Sequence, residues 1–108
     1  NGCLRVLRGS HRCGRLDHGK IGSQTGADPE RVEALLERLQ VVDCVLRSGD
    51  MLFFHCNLLH ASEPNVSDRP RTSYICCYNA LNNPPLTKPG HGPCVPIELA
   101  ADNLDTWK

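Results

Sequence analysis

The sequence predicts a mainly β chain with one amphipathic helix, in the antiparallel sandwich or barrel class that includes jelly rolls and cupins. Three observations lead there. Short apolar, β-branched and aromatic runs recur between turn signals. Only one segment has helical periodicity. At 108 residues and 40% hydrophobic, the chain makes one small domain at most, with a modest core. The strands that can be counted are too few to close a barrel, so a partial one is expected.

Along the chain, residues 2–8 (Gly-Cys-Leu-Arg-Val-Leu-Arg) alternate well enough for a strand, ended by Gly9-Ser10-His11. Residues 12–27 carry glycines at 14, 19, 22 and 26 without periodicity and read as a loop. Asp28 suits an N-cap and Pro29 the first helical turn, where a missing N–H costs nothing. Val32, Leu35, Leu36 and Leu39 then share one face, so a packing helix is expected over about 29–40. Residues 41–47 read as a strand and Ser48-Gly49-Asp50 as a turn. Met51 to Cys56 reads as a short buried strand, Leu58 to Ala61 as another, and Pro64 to Pro70 as a polar loop. Arg71 to Leu81, rich in Tyr, Ile, Thr and Cys, reads as a strand. Five of the eight prolines fall at 84, 85, 89, 93 and 96. Residues 1–81 are therefore taken as the β domain and 82–108 as a Pro-rich extension, with a short helix near 97–105.

The formal net charge is zero, which argues against nucleic acid or an anionic membrane as the main partner. No stretch is long and apolar enough to span a bilayer. Seven cysteines, an odd number without repeating spacing, make a poor disulfide framework. Reduced, mostly buried thiols in an intracellular, cytoplasmic protein are expected instead. Asn1 where a Met would stand, and a turn feeding straight into a strand, suggest a fragment rather than a processed mature chain.

The histidines are 11, 18, 55, 60 and 91. His11, His18 and His91 sit at turns or in Gly-rich loops and read as surface residues; His55 ends an apolar run and reads as a core histidine. A structural zinc site needs paired close ligands, and no C-x-x-C is present; a zinc site using His55, Cys56 and His60 is a minor alternative. A Cys-His nucleophile is equally minor, since its base must be placed in space. His60 is set apart by its C-terminal neighbours Ser62, Asn65, Ser67 and Arg71. If His60 ends one strand and Arg71 opens the next, a metal on the first and an anion on the second would share a pocket. Along that next strand Arg71, Ser73, Ile75, Cys77 and Asn79 would fall on one face. Arginine suits a carboxylate because it grips bidentately and stays charged. A solvated arginine beside Arg69 fits the spacing equally well.

The pattern H-x-S-x-x-N-x-S-x-x-x-R at 60–71, Asn1-Gly2-Cys3-Leu4 with Val6, Gly9-Ser10-His11, and Gly49-Asp50 before Phe53-Phe54-His55 together resemble the phytanoyl-CoA dioxygenase family. Arg8 stands where that family usually has proline. The resemblance runs from residue 1 to about Tyr78 and marks the chain as the C-terminal part of such an oxygenase. It implies a double-stranded β-helix, Fe(II), 2-oxoglutarate as co-substrate with ascorbate as an accessory, and a small-molecule substrate. It also implies that His60 is a metal ligand, that Arg71 binds the far carboxylate of 2-oxoglutarate, and that Ser62 assists it. The implied metal site is two histidines and a carboxylate, yet the residues two places after the histidines are Cys13, Lys20, Asn57, Ser62 and Pro93. None is a carboxylate, so the His-x-Asp pair of the family is absent from these residues. The expectation is therefore a hydroxylase in the full-length protein, with the fragment alone inactive. A non-catalytic jelly-roll binding module and a cupin-like zinc protein are the competing readings.

Overall fold

The computed structural model describes residues 1–84 and 95–98. The chain divides into two compact units, Asn1–Thr72 and Ser73–Lys108. The first contains strand β1 (Leu4–Leu7), a single 3-10 turn (Ser10–Arg12), strands β2 (His18–Ile21) and β3 (Gln24–Ala27), helix α1 (Pro29–Leu36), and strands β4 (Val41–Cys44) and β5 (His60–Ser62). The described part is mainly β with one α-helix, as the sequence predicts.

The main sheet has the order β4-β1-β5 and is antiparallel throughout. Leu4 stands between Cys44 and Ser62, and Val6 between Val42 and His60. Since alternate residues of a strand share a face, one face carries Val42, Cys44, Leu4, Val6, His60 and Ser62. The other carries Arg5, which pairs with Asp43 at 3.0 Å and reaches Glu63 at 3.7 Å. These side chains are well exposed, so the pair fixes register more than it adds stability. Among the described residues the buried hydrophobic side chain is Leu7, 5% exposed, at the end of β1.

Gly2 has φ +67° and lies so close to the backbone of Glu63 and Pro64 that a Cβ there would overlap the Glu63 carbonyl. A residue without a side chain is thus needed where the entry to β1 meets the exit of β5.

Helix α1 begins as expected. Asp28 caps it, its Oδ1 accepting the Arg31 N–H at 3.1 Å, and Pro29 occupies the first turn. It ends earlier than the apolar spacing predicts, at Leu36; residues 37–39 continue only as hydrogen-bonded turns. Gln40 then accepts the Arg8 N–H at 2.9 Å, which ties the start of β4 to the end of β1.

Three expectations are corrected. Residues 12–27 are not wholly loop: β2 and β3 form a hairpin, His18 opposite Ala27 and Ile21 opposite Gln24. Gly22, at φ +59°, opens its two-residue turn, as primed hairpin turns require. Met51 to Cys56 is neither strand nor buried, with Met51 74% and Phe53 79% exposed. An apolar run becomes a strand only when it pairs with another, and none of the described strands pairs with this one. The third is the strand over Arg71 to Leu81: the described backbone there is irregular and exposed, so the face proposed for Arg71 to Asn79 has no sheet to refer to. The strand at Leu58 to Ala61 does form, two residues later.

In the second unit the described residues, 73–84 and 95–98, form neither helix nor strand. Asn79 and Asn83 bracket a turn: Asn83 Nδ2 donates to Asn79 Oδ1 at 2.9 Å, and Asn79 Nδ2 donates to the Asn83 carbonyl. The Tyr78 hydroxyl is held above its ordinary pKa by its hydrogen bond with the Cys76 side chain. Most of the Pro-rich extension and of the helix expected near 97–105 lies outside the described residues; Ile97 and Glu98 are irregular.

Candidate metal and co-substrate site

His60 opens β5, the edge strand beside β1, on the face shared with Leu4, Val6 and Val42. Its Nδ1 lies 2.8 Å from the Leu58 carbonyl oxygen. A carbonyl can only accept, so Nδ1 must carry the proton and the neutral ring keeps its lone pair on Nε2. That tautomer can bind a metal through Nε2, with the carbonyl as the outer partner that fixes the ring. The Phe54 ring lies against it, 5.1 Å between centroids. Ser62 shares the face two residues on.

His55 has the opposite arrangement. Its Nδ1 accepts the Asn57 N–H at 3.1 Å, and the Cys56 Sγ lies 3.9 Å away. The nitrogen nearest Cys56 is therefore already engaged. His55 is exposed rather than a core residue, and its ring stacks obliquely on half-buried His11, with centroids 5.7 Å apart. His18 is exposed and bonds the Leu16 carbonyl at 2.9 Å; His91 lies outside the described residues. Among the described residues no three His, Cys, Asp or Glu side chains converge as a metal-binding group. His55, Cys56 and His60 thus do not assemble a zinc site, and these residues do not fit a complete iron site either: His60 is a single donor. The six described cysteines are free, as expected, but only Cys3 and Cys44 are even half-buried.

Between His60 and Arg71 the chain folds around Asn65. Asn65 Oδ1 accepts from Ser67 N at 3.1 Å and Ser67 Oγ at 2.7 Å, while its Nδ2 donates to the Arg69 carbonyl at 2.7 Å. Such side chain to backbone bonds are the usual way Asn builds a turn. They explain why Asn and Ser stand at those places in the motif: they shape the loop leading from β5 to Arg71. Arg71 itself is exposed and makes no ion pair among the described residues.

Ser10, to which the sequence assigns no role, lies against the segment that leads into His60. It is 1% exposed, and its Oγ accepts the N–H of Leu59, the residue before His60, at 2.8 Å. The only signal in the sequence is its place in Gly9-Ser10-His11; its partner lies 49 positions away.

The chain matches the family described as "Phytanoyl-CoA dioxygenase (PhyH)" over residues 1–73. It is 32% identical to the ectoine dioxygenase of Bordetella parapertussis over 103 aligned residues, covering 85% of this chain and 33% of the relative. It is 32% identical to dioxygenase lolE1 of Epichloe uncinata, covering 73% of this chain and 28% of that protein. With phytanoyl-CoA dioxygenase domain-containing protein 1 of Bos taurus the identity is again 32%, over 68% of this chain and 26% of the relative. The chain thus spans about a third or less of the length of these curated relatives. No solved structure matches it. With a family match over two thirds of its length that takes in Gly9-Ser10-His11, His60, Ser62, Asn65, Ser67 and Arg71, the chain belongs to the phytanoyl-CoA dioxygenase family.

Proposed function

We propose that the chain is the C-terminal part of an Fe(II)/2-oxoglutarate-dependent oxygenase that couples decarboxylation of 2-oxoglutarate to hydroxylation of a small molecule. In this reading His60 is one of the metal ligands, Arg71 binds the distal carboxylate of 2-oxoglutarate and Ser62 assists. The three-stranded sheet is then one portion of a double-stranded β-helix. The observation that carries the reading is the state of His60: an imidazole held by the Leu58 carbonyl with Nε2 available, beside Ser62 on an apolar sheet face. Among the described residues no group of three His, Cys, Asp or Glu side chains gathers around a metal position, so His60 is the one donor assigned in this reading. Ascorbate would serve as an accessory.

Arg71 contributes a fixed charge, and the Asn65 loop limits where its backbone can stand. In the full-length protein, Arg71→Ala is expected to weaken 2-oxoglutarate binding, measured calorimetrically, by tenfold or more, since a charge-assisted bidentate pair contributes about 1.5–3 kcal/mol. Arg71→Lys should restore only part, because an ammonium cannot grip both oxygens in one plane. Unchanged affinity in Arg71→Ala would remove Arg71 from the site.

A further inference from the structure

We propose that Ser10 is a positioning residue for His60, acting through the backbone of Leu59; the inference rests on the reading of His60 as a metal ligand. The two residues before His60 have all four backbone polar groups engaged. Leu58 N–H donates to the His55 carbonyl at 2.9 Å, and the Leu58 carbonyl accepts from His60 Nδ1 at 2.8 Å. The Leu59 carbonyl accepts the Leu7 N–H at 2.9 Å, and Leu59 N–H donates to Ser10 Oγ at 2.8 Å. Three of these bonds are local or belong to the continuation of the β1–β5 pairing. The fourth is the only one supplied by a side chain from a distant part of the sequence, and that side chain is almost wholly enclosed.

The geometry explains the residue types. β1 ends at Leu7, and Gly9 takes φ +88°, a left-handed conformation that turns the chain back on itself. The following 3-10 turn, closed by Arg12 N–H to the Gly9 carbonyl at 3.1 Å and Cys13 N–H to the Ser10 carbonyl at 3.0 Å, holds Ser10 over the start of β5. Its hydroxyl takes the N–H that no strand carbonyl accepts. Deleting the hydroxyl would leave that N–H without its acceptor in a part-buried place. The chain would then drift where it enters His60, and with it the Leu58 carbonyl that sets the imidazole tautomer. A metal ligand must be held to within a fraction of an ångström, so the consequence belongs to metal affinity and not only to stability.

The test is a double-mutant cycle in the full-length protein, reading Co(II) affinity by its visible absorption and, in parallel, the thermal midpoint. Ser10→Ala should weaken Co(II) binding by about tenfold, the lower end of what losing an outer partner of a ligand costs. His60→Ala should weaken it further, and the double variant should bind no more weakly than His60→Ala alone. The thermal midpoint should fall with Ser10→Ala in both backgrounds. An unchanged Co(II) affinity in Ser10→Ala, or the same fold-loss with His60 already removed, overturns the proposal. Should Ser10→Ala fail to fold, Ser10→Cys keeps the size with a weaker acceptor; it should bind Co(II) with intermediate affinity, and wild-type affinity in it overturns the proposal equally. A His60→Ala variant with undiminished affinity would instead show that the ligand assignment itself is wrong, and the clamp would have no object.

Discussion

At the scale of the residue, an imidazole binds metal through whichever nitrogen lacks a proton, so in the proposed site the Leu58 carbonyl, by taking up Nδ1, leaves Nε2 as the donor of His60. The candidate residues His60, Ser62 and Arg71 stand out in the sequence by register. What Asn65 and Ser67 do was not legible, because a motif gives positions and not hydrogen bonds. Ser10 was less legible still, as its partner is a backbone group with no sequence signature. Two predictions belong here. Asn65→Ala removes three bonds that shape the loop; in the full-length protein it should raise the 2-oxoglutarate dissociation constant several-fold while leaving Co(II) affinity close to wild type. Equal loss of both would mean that the loop supports the sheet and not Arg71. Gly2→Ala must place a side chain at positive φ and against the Glu63 carbonyl. The conformation alone costs about 1–2 kcal/mol, so urea denaturation of the full-length protein should show at least that loss; an unchanged midpoint would contradict the close approach.

At the scale of the element, local signals read well and pairing read poorly. Asp28-Pro29 marked the helix start because cap and first-turn preferences are satisfied within four residues. In the full-length protein Asp28→Ala should accordingly destabilise the fold by about 1 kcal/mol, seen as a lower urea midpoint, with Asp28→Asn largely retaining it. The β2–β3 hairpin was missed because its strands, His-Gly-Lys-Ile and Gln-Thr-Gly-Ala, lack apolar alternation; the two-residue Gly22-Ser23 turn was the signal available. The runs at 51–56 and 71–81 erred in the other direction. Both have strand composition, but strand formation is a property of two segments, and a single segment cannot reveal whether its partner is present.

At the scale of the whole chain, much apolar surface finds no cover. Among the described residues Met51, Phe53, Val66, Tyr74 and Ile75 are each more than 70% exposed, while Leu7 is the one hydrophobic side chain that is buried. Burial of apolar area is the main term that offsets chain entropy. The 108 residues expressed alone should therefore unfold without a sharp thermal transition and bind ANS, as loosely packed states do; a cooperative transition with native near-UV dichroism would contradict this. The curated relatives are about three times as long as this chain. No helix among the described residues is long and apolar enough to cross a membrane.

The most direct test of the central claim is succinate release from 2-oxoglutarate by the full-length protein supplied with Fe(II), O₂ and ascorbate, wild type against His60→Ala. The assignment predicts succinate formation by the wild type that requires both iron and 2-oxoglutarate and falls to background in His60→Ala, with the variant still folded by circular dichroism. Succinate formed at an undiminished rate by His60→Ala, or none from an iron-loaded, folded wild type, would contradict it.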